Sequence, residues 1–345
     1  MESFKQPPPP IPGAKTYVYK TIRDLKLEVD VFIPDNLPYK DTTTAVLFLH
    51  GGGWIGGDRT EYCRPLFDEF LAQQYVVASA NYRLLPESDF ISGQLEDIRD
   101  LSKWMHEDLS NHLSQNGLRT SIGDVIVAGA SAGALLALLT PKLWSQKPAA
   151  ILSIYGPTDL RRIQPVKGGP LTSVDMPELT SERISSVVDM ERPIASTPPL
   201  KSFEDFVFNP RQQVGAEVFR RGLVAEFLLR GLIRHCPDGS TIEWQLPEKG
   251  EAQEFEIDGI SPLHLAKQIA YPPTYQIFGS QDELFEVAHA VGLAECLDSQ
   301  GIRHKEHIVD GAHHAFDIGA NTGDDIHLNV MLPAVDWIAG VINHH

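Results

Sequence analysis

The stretch Gly129-Ala130-Ser131-Ala132-Gly133 has the residue types of a turn that presents a nucleophile. An apolar, strand-like run precedes it at residues 125–128, and a helix-forming run follows it at residues 134–139. In a sharp strand-to-helix turn the central serine is raised clear of the backbone, and glycines two residues before and after it avoid a collision. The helix N-terminus stabilises negative charge at that hydroxyl. Ser131 is therefore the candidate nucleophile.

A second glycine motif, His50-Gly51-Gly52-Gly53-Trp54, directly follows another apolar run at residues 45–49. Glycines let backbone N–H groups point into a cavity without obstruction, which is what stabilisation of a tetrahedral oxyanion requires. The N–H of the residue after the nucleophile is a further donor. We therefore predict Gly52, Gly53 and Ala132 as oxyanion donors, and we expect His50 to hold the glycine loop in place.

A serine hydroxyl needs an imidazole to accept its proton and a carboxylate to orient that imidazole. Late in the chain, Asp282 follows a strand-like run at residues 274–278, and His314 follows another run that ends at residue 309. Both positions fall at the carboxyl ends of predicted parallel strands, where open α/β sheets place their sites. On residue type alone, Glu283 and Glu286 remain alternatives for the acid, and His313 for the base.

The elements that must position these residues alternate between strands and helices. Short β-forming runs separated by amphipathic helical patterns favour a mostly parallel sheet with helices on both faces. The predicted strands lie at residues 16–20, 25–33, 45–50, 76–80, 125–128, 149–155, 274–278 and 304–309, and the clearest helical patterns at residues 62–73, 95–105, 134–139, 287–297 and 325–342.

This alternation lapses over about 100 residues, which carry proline, charge and one apolar helical stretch around Phe227 and Leu228. A structureless loop of that length is improbable in a compact domain, so the segment is expected to fold as an inserted subdomain. We divide the chain into a flexible proline-rich tail, a core in two parts, and an inserted cap or lid. Their ranges are residues 1–15 for the tail, 16–156 and 261–345 for the core, and 157–260 for the cap.

Composition restricts the partners. The 345 residues include 29 Lys and Arg against 46 Asp and Glu, so the net charge of −17 repels phosphate backbones and anionic lipid surfaces. Three scattered cysteines, Cys63, Cys236 and Cys296, fit neither a disulfide framework nor a zinc cluster. The N-terminus carries no apolar leader segment. We therefore expect a cytoplasmic protein that acts on a small molecule, without nucleic acid or membrane as partner.

Together the motifs resemble the hormone-sensitive-lipase branch of the α/β-hydrolases. The resemblance rests on H-G-G-G-W, on Tyr-Arg-Leu at residues 82–84 with Pro-Glu at 86–87, on G-x-S-x-G, and on His-Ala-Phe at 314–316. It implies an α/β-hydrolase fold with an inserted cap, and a monomer or a homodimer. In that family the base precedes a small residue and Phe, which selects His314, and a G-x-x-D pattern selects Asp282. Asn81 departs from the family, where an Asp commonly precedes Tyr-Arg-Leu.

The substrate-binding residues follow less directly from the sequence. Trp54, next to the glycine loop, and the apolar stretch with Phe227 and Leu228 suggest a hydrophobic wall, and Tyr82 belongs to a family motif. We place all four at the substrate. The resemblance implies that the cap builds the pocket, so the sequence does not specify the substrate.

These residues predict a serine esterase that cleaves carboxylic esters of small to medium, apolar substrates through an acyl-enzyme, without metal or organic cofactor. The same triad would also serve a thioesterase, a lactonase or an acyl-transfer enzyme that releases or modifies a polyketide-like secondary metabolite. A third hypothesis is a non-catalytic small-molecule receptor, since the plant gibberellin receptor resembles this family but lacks the catalytic histidine.

Overall fold

The structure is a computed structural model that describes residues 9–37, 40–236, 239 and 242–343. Eight strands form one sheet in the order β1-β2-β4-β3-β5-β6-β9-β10. The pairs from β4 through β10 are parallel, whereas β1 pairs with β2 and β2 with β4 in the antiparallel sense. The predicted mostly parallel sheet is therefore confirmed, with β2 as the antiparallel strand near one edge.

The central strands are buried apolar runs because helices cover both faces of the sheet. Their side chains form one hydrophobic core together with those of the covering helices and of the inserted segment. The sheet consists of β1 (Lys15–Ile22), β2 (Leu25–Phe32), β3 (Thr42–Leu49), β4 (Val76–Ala80), β5 (Ser121–Ala130), β6 (Ala150–Ile154), β9 (Thr274–Gly279) and β10 (His304–Val309).

Helices join the strands as the sequence periodicity predicts. The helices outside the long insertion are α1 (Arg64–Ala72), α2 (Leu95–Lys103), α3 (Leu109–Gln115), α4 (Ala132–Leu143), α11 (Pro262–Ala266), α12 (Ala288–Ser299) and α13 (Leu332–Ile342). Single π-helical turns at Phe90–Gln94, Trp104–Asp108 and His327–Met331 extend α2, α3 and α13. No helix in the described part of the chain combines the length and apolar character needed to cross a membrane.

The segment between β6 and β9 folds into short elements rather than one apolar helix. They are a 3₁₀ turn (Leu160–Arg162), α5 (Pro170–Ser173), α6 (Ser181–Ser185), α7 (Phe203–Phe208), α8 (Pro210–Arg220), α9 (Val224–Arg230), the hairpin strands β7 (Ile233–His235) and β8 (Glu243–Gln245), and α10 (Glu254–Asp258). The chain turns between α8 and α9 at Gly222, whose φ of +64° is unfavourable for other residues.

The N-terminal stretch is held against the core where it is described. Residues 1–8 of the predicted flexible tail lie outside the described residues. The backbone N–H of Ile11 donates to the hydroxyl of Tyr62 at 2.9 Å, and Arg64 donates to the carbonyl of Pro9 at 3.1 Å. These contacts tie residues 9–11 to the chain around the start of α1.

Candidate active site

The turn between β5 and α4 places Ser131 in a conformation that few L-residues adopt. Its φ is +52° and its ψ is −118°, and its backbone N–H donates to the carbonyl of Ile154 at 2.9 Å. The two glycines of the motif are sterically required. A Cβ on Gly129 would lie 2.3 Å from the carbonyl oxygen of Gly133, and one on Gly133 would lie 2.1 Å from the carbonyl oxygen of Leu49. The sequence therefore permits the strained turn that exposes the serine hydroxyl.

Two further side chains complete a hydrogen-bonded series with this hydroxyl. The Ser131 hydroxyl lies 2.9 Å from Nε2 of His314, and Nδ1–H of His314 donates to Oδ2 of Asp282 at 2.7 Å. The other carboxylate oxygen, Oδ1, accepts the backbone N–H groups of Leu284 and Phe285, each at 2.9 Å. The carboxylate is thus fixed from both sides, and it holds the imidazole with Nε2 facing the serine.

Where the structure describes the chain, the alternatives left open by the sequence form no hydrogen bond to the Ser131 hydroxyl or to the imidazole of His314. The side chain of His313 is 53% exposed, against 10% for His314, and its Nδ1 lies 3.3 Å from Glu283. Glu283 accepts the backbone N–H of His314 at 3.3 Å, and Glu286 is exposed. Of the candidate acids and bases, the structure therefore brings Asp282 and His314 to Ser131.

The surroundings of His314 set its basicity. Burial disfavours the imidazolium, but the adjacent carboxylate of Asp282 outweighs it and raises the pKa of His314 above 6.5. A second carboxyl, Asp317, is buried close by and accepts the hydroxyl of Tyr155 at 2.5 Å. Burial raises the pKa of Asp317. The ring of Tyr155 lies against the imidazole of His314, with 4.6 Å between ring centroids.

The glycine loop lies beside the serine. Gly51, Gly52 and Gly53 border the same cavity as Ser131, and φ is +101° at Gly52 and +61° at Gly53. Ala132, the third predicted donor, is the first residue of α4, so its N–H has no acceptor within the helix. The structure therefore places the three predicted donors around the serine turn.

His50 is buried behind that loop. Its Nδ1–H donates to the carbonyl of Gly51 at 2.8 Å, and burial lowers its pKa to about 4. The ring of Tyr82 stacks on the imidazole at 4.4 Å, and its hydroxyl donates to the His50 carbonyl at 2.7 Å. His50 is thus a neutral group that braces the glycine loop, with no contact to the Ser131 hydroxyl.

An arginine of the inserted segment fixes the far side of the same loop. Arg211, near the start of α8, donates to the carbonyls of Ile55 at 3.1 Å and Leu85 at 3.0 Å. Its guanidinium also forms a buried ion pair with Glu87. A buried guanidinium is stable only when its donors are satisfied, and here the acceptors at Ile55, Leu85 and Glu87 belong to residues outside the inserted segment. These contacts therefore tie the inserted segment to the glycine loop.

A cavity of about 400 Å³ opens in front of Ser131. Its walls come from both parts of the chain and include the aromatic rings of Tyr62, Tyr155 and Phe219. The inserted segment contributes Leu171, Pro199, Leu200, Gln212, Gly215, Ala216 and Phe219. The carboxyl-bearing residues of the lining are Glu61, Glu283 and Asp317, and no Lys or Arg borders the cavity in the part of the chain that the structure describes.

The four residues that the sequence analysis placed at the substrate lie outside this lining. Trp54 is fully buried, and its ring stacks on that of Phe219. The ring of Tyr82 stacks on His50, and its hydroxyl donates to the His50 carbonyl. Phe227 and Leu228 are buried where α9 packs against α8, α10 and neighbouring turns. Trp54 thus lies behind the cavity wall at Phe219, and all four are core residues, because an apolar pattern marks core as readily as pocket.

Several residues that line the cavity escaped the sequence analysis. Tyr155 directly follows β6, so the rule that sites lie at carboxyl ends of parallel strands could have found it. Asp317 lies three residues after His314. Glu61 and Phe219 carry no comparable signal, because tertiary packing alone brings them to the cavity.

Comparisons with known proteins agree with this architecture. A family model described as BD-FAE, a hormone-sensitive-lipase-like esterase family, matches residues 29–188. Among solved structures, esterase 2 of Thermogutta terrifontis superposes with a TM-score of 0.59 at 18% identity, covering 97% of this chain and 96% of that one. An α/β-hydrolase superfamily protein from Enterococcus faecalis gives 0.59 at 19% identity, covering 95% and 98%. The α/β-hydrolase fold implied by the motifs is therefore confirmed.

Similarity in sequence points to a different kind of protein. The non-reducing polyketide synthase ascC of Acremonium egyptiacum is 26% identical over 95% of this chain, and stbA of Stachybotrys bisbyi is 27% identical over 94%. The chain spans only 15% and 14% of the length of these two relatives. It is therefore similar to one portion of much longer proteins.

Proposed function

We propose that this chain, an α/β-hydrolase by fold, is a serine hydrolase that cleaves carboxylic esters through an acyl-enzyme on Ser131. The observation that carries the proposal is the continuous series of hydrogen bonds from Asp282 through His314 to Ser131, at the wall of a cavity. The esterase fold of the solved neighbours supports it.

In the first half of the reaction Ser131 attacks the ester carbonyl while its proton passes to Nε2 of His314. The carbonyl oxygen becomes an oxyanion, which the N–H groups of Gly52, Gly53 and Ala132 stabilise. Asp282 stabilises the imidazolium that forms. His314 then gives the proton to the departing alkoxide, the carbon–oxygen bond to the alcohol breaks, and the acyl group stays on Ser131.

In the second half water replaces the alcohol. His314, neutral again, takes a proton from water as the oxygen attacks the acyl-enzyme. Collapse of the second oxyanion breaks the bond to Ser131, which regains its proton from His314, and the carboxylic acid leaves. Each residue performs the same task twice, so the bonds observed between Ser131, His314 and Asp282 suffice for both halves.

We assign residues 157–260 the role of a cap that forms part of the substrate site. The seven cavity-lining residues of this segment face a nucleophile carried by the sheet. Arg211 links the segment to the glycine loop, so the cap also contributes to the position of the proposed oxyanion donors. Acyl and alcohol preferences are therefore expected to follow changes in these cap residues.

A second candidate function, release of an acyl group from a thioester, is favoured by the sequence relatives. The most similar curated proteins include several non-reducing polyketide synthases and a 5-methylorsellinic acid synthase from Aspergillus terreus. The chemistry differs only in the leaving group, a thiolate instead of an alkoxide. Parallel kinetics on an oxygen ester and a thioester of the same acid distinguish the two, because the preferred substrate has the higher kcat/KM.

The proposal is tested with a fluorophosphonate probe. Attack by the Ser131 oxygen forms a phosphorus–oxygen bond and expels fluoride, so the adduct stays on the nucleophile. Esterase 2 of Thermogutta terrifontis, a structural neighbour, is phosphorylated by paraoxon and phosphonylated by sarin. We expect peptide mass spectrometry to find the adduct on Ser131 together with turnover of 4-nitrophenyl esters. A soluble, folded chain without adduct and without turnover would refute the proposal.

The rate of labelling is expected to depend on pH through His314. Only the neutral imidazole accepts the serine proton, so the rate falls as pH decreases through the pKa of His314. Asp282 raises that pKa, which places the midpoint of the acid limb above pH 6.5. The measurement is the second-order labelling rate between pH 5 and 9.

Glu61 also titrates in this window, since its burial in the cavity wall raises its pKa to about 7. The Glu61→Gln variant removes that group and is expected to keep an acid limb above pH 6.5. An acid limb that disappears in this variant would assign the wild-type pH dependence to Glu61 instead of His314.

A further inference from the structure

Glu61 presents a carboxyl group to the cavity without a protein partner. The residue lines the cavity in front of Ser131 and is largely buried. Among the described residues its side chain forms no hydrogen bond or ion pair, whereas its backbone N–H donates to the carbonyl of Asp58 at 2.9 Å. Polar groups removed from water are normally paired within the protein. An unpaired carboxyl in a cavity wall is therefore available to a ligand.

The chain on both sides of Glu61 is held by contacts of its neighbours. Arg59 donates its backbone N–H to the side chain of Asn81 at 2.7 Å, and its carbonyl accepts the hydroxyl of Ser79 at 2.7 Å. On the other side, Tyr62 stacks on Phe67 and its hydroxyl accepts the N–H of Ile11. These contacts hold the backbone of Glu61 at the cavity wall before any substrate binds.

The rest of the lining limits what such a carboxyl can bind. Its other carboxyl groups are Glu283 and Asp317, and no Lys or Arg is among the described lining residues, so an anionic substrate would find no cationic partner there. The remaining wall is mostly apolar and aromatic, as at Tyr62 and Phe219. A neutral group with an O–H donor on an otherwise apolar framework matches both properties.

We propose that Glu61 is a specificity-determining residue that accepts a hydrogen bond from a hydroxyl group of the substrate. This inference rests on the proposed function, because it assumes that the substrate reacts at Ser131 in the same cavity. It assigns the substrate to the class of hydroxylated, otherwise apolar esters or thioesters. A site that offers an acceptor loses affinity for an analogue without the donor, since the buried acceptor then stays unpaired.

The test compares substrates that differ only in the donor. Phenyl thioesters of the three hydroxybenzoic acids are compared with those of the matching methoxybenzoic acids, and kcat/KM is measured for each. The wild type is expected to prefer one hydroxyl isomer over its methoxy analogue by roughly ten-fold to a hundred-fold. In Glu61→Leu this ratio falls to about one, and in Glu61→Gln, which keeps an amide oxygen as acceptor, it takes an intermediate value.

A surface change serves as control. Glu295 is exposed on α12, and Glu295→Leu removes the same charge outside the cavity, so the wild-type ratio is expected to persist. The proposal is overturned if Glu61→Leu keeps the wild-type ratio or if the wild type prefers no hydroxyl isomer. It is also overturned if an aminomethyl analogue, which carries an ammonium group, is preferred to every hydroxyl isomer.

Labelling separates this inference from the proposed function. Each variant is treated with the fluorophosphonate probe before kinetics, and an adduct on Ser131 shows that the nucleophile is active. An adduct without hydroxyl preference rejects the role of Glu61 alone. Absence of both adduct and turnover in the wild type rejects the serine hydrolase itself.

Discussion

Replacement of Ser131 by alanine is expected to lower kcat for ester hydrolysis by on the order of 10⁶-fold, because removal of the nucleophile abolishes the acyl-enzyme route. As far as the structure describes the chain, the Ser131 hydroxyl has a hydrogen bond only with His314, so its removal is expected to affect the reaction and not the fold. Alanine accommodates the positive φ of 52° no worse than serine. We therefore expect a folded variant with a thermal midpoint close to that of the wild type. The measurements are steady-state kinetics on a 4-nitrophenyl ester and fluorophosphonate labelling.

Ser114→Ala is the matched control, since this serine is exposed on α3, away from the cavity. It is expected to keep both labelling and turnover. If Ser131→Ala retained more than about a tenth of the wild-type rate, the nucleophile would be a different group. A folded Ser131→Ala chain that still binds a small ligand would be compatible with either an enzyme or a receptor, and only wild-type turnover decides between them.

The fold and the arrangement of Ser131, His314 and Asp282 were accessible from sequence because short-range rules determine them. The turn at Ser131 requires glycines at fixed spacing, and collisions of 2.3 Å and 2.1 Å at Gly129 and Gly133 show why. Asp282 and His314 follow β9 and β10, and parallel strands bring their carboxyl ends to one edge of a sheet. Residue type left Glu283 and His313 as alternatives. The family resemblance selected Asp282 and His314 instead, and the structure places these two side chains in hydrogen bonds that lead to Ser131.

The lining of the cavity in front of Ser131 was not accessible in the same way. Trp54 and Phe227 are apolar residues near the motifs, but burial in the core satisfies them as well as a ligand would. Phe219 and Glu61 reach the cavity through packing of the inserted segment and of the turn before α1. Such contacts join residues far apart in sequence, and no periodicity encodes them. The break at Gly222 likewise divides what the apolar pattern suggested was one helix.

Asp282→Asn is expected to reduce kcat/KM by about 10⁴-fold while leaving the fold intact, for a reason that lies in its hydrogen bonds. In the native protein Oδ1 accepts two backbone N–H groups, from Leu284 and Phe285. An asparagine must direct its carbonyl oxygen to these donors, so its NH₂ group faces Nδ1 of His314. That contact favours the tautomer with the proton on Nε2, which cannot accept the proton of Ser131.

The pH profile adds a readout that a general loss of stability would not produce. The charge of Asp282 raises the pKa of His314 against the effect of burial, so its removal lowers that pKa and shifts the acid limb of the residual activity to lower pH. Glu286→Gln is the control, because this carboxyl is exposed and the sequence alone offered it as an alternative acid. An Asp282→Asn enzyme within ten-fold of the wild type, with an unshifted acid limb, would show that another group orients His314. A large loss in Glu286→Gln would point to that residue, since the two variants remove the same charge four positions apart.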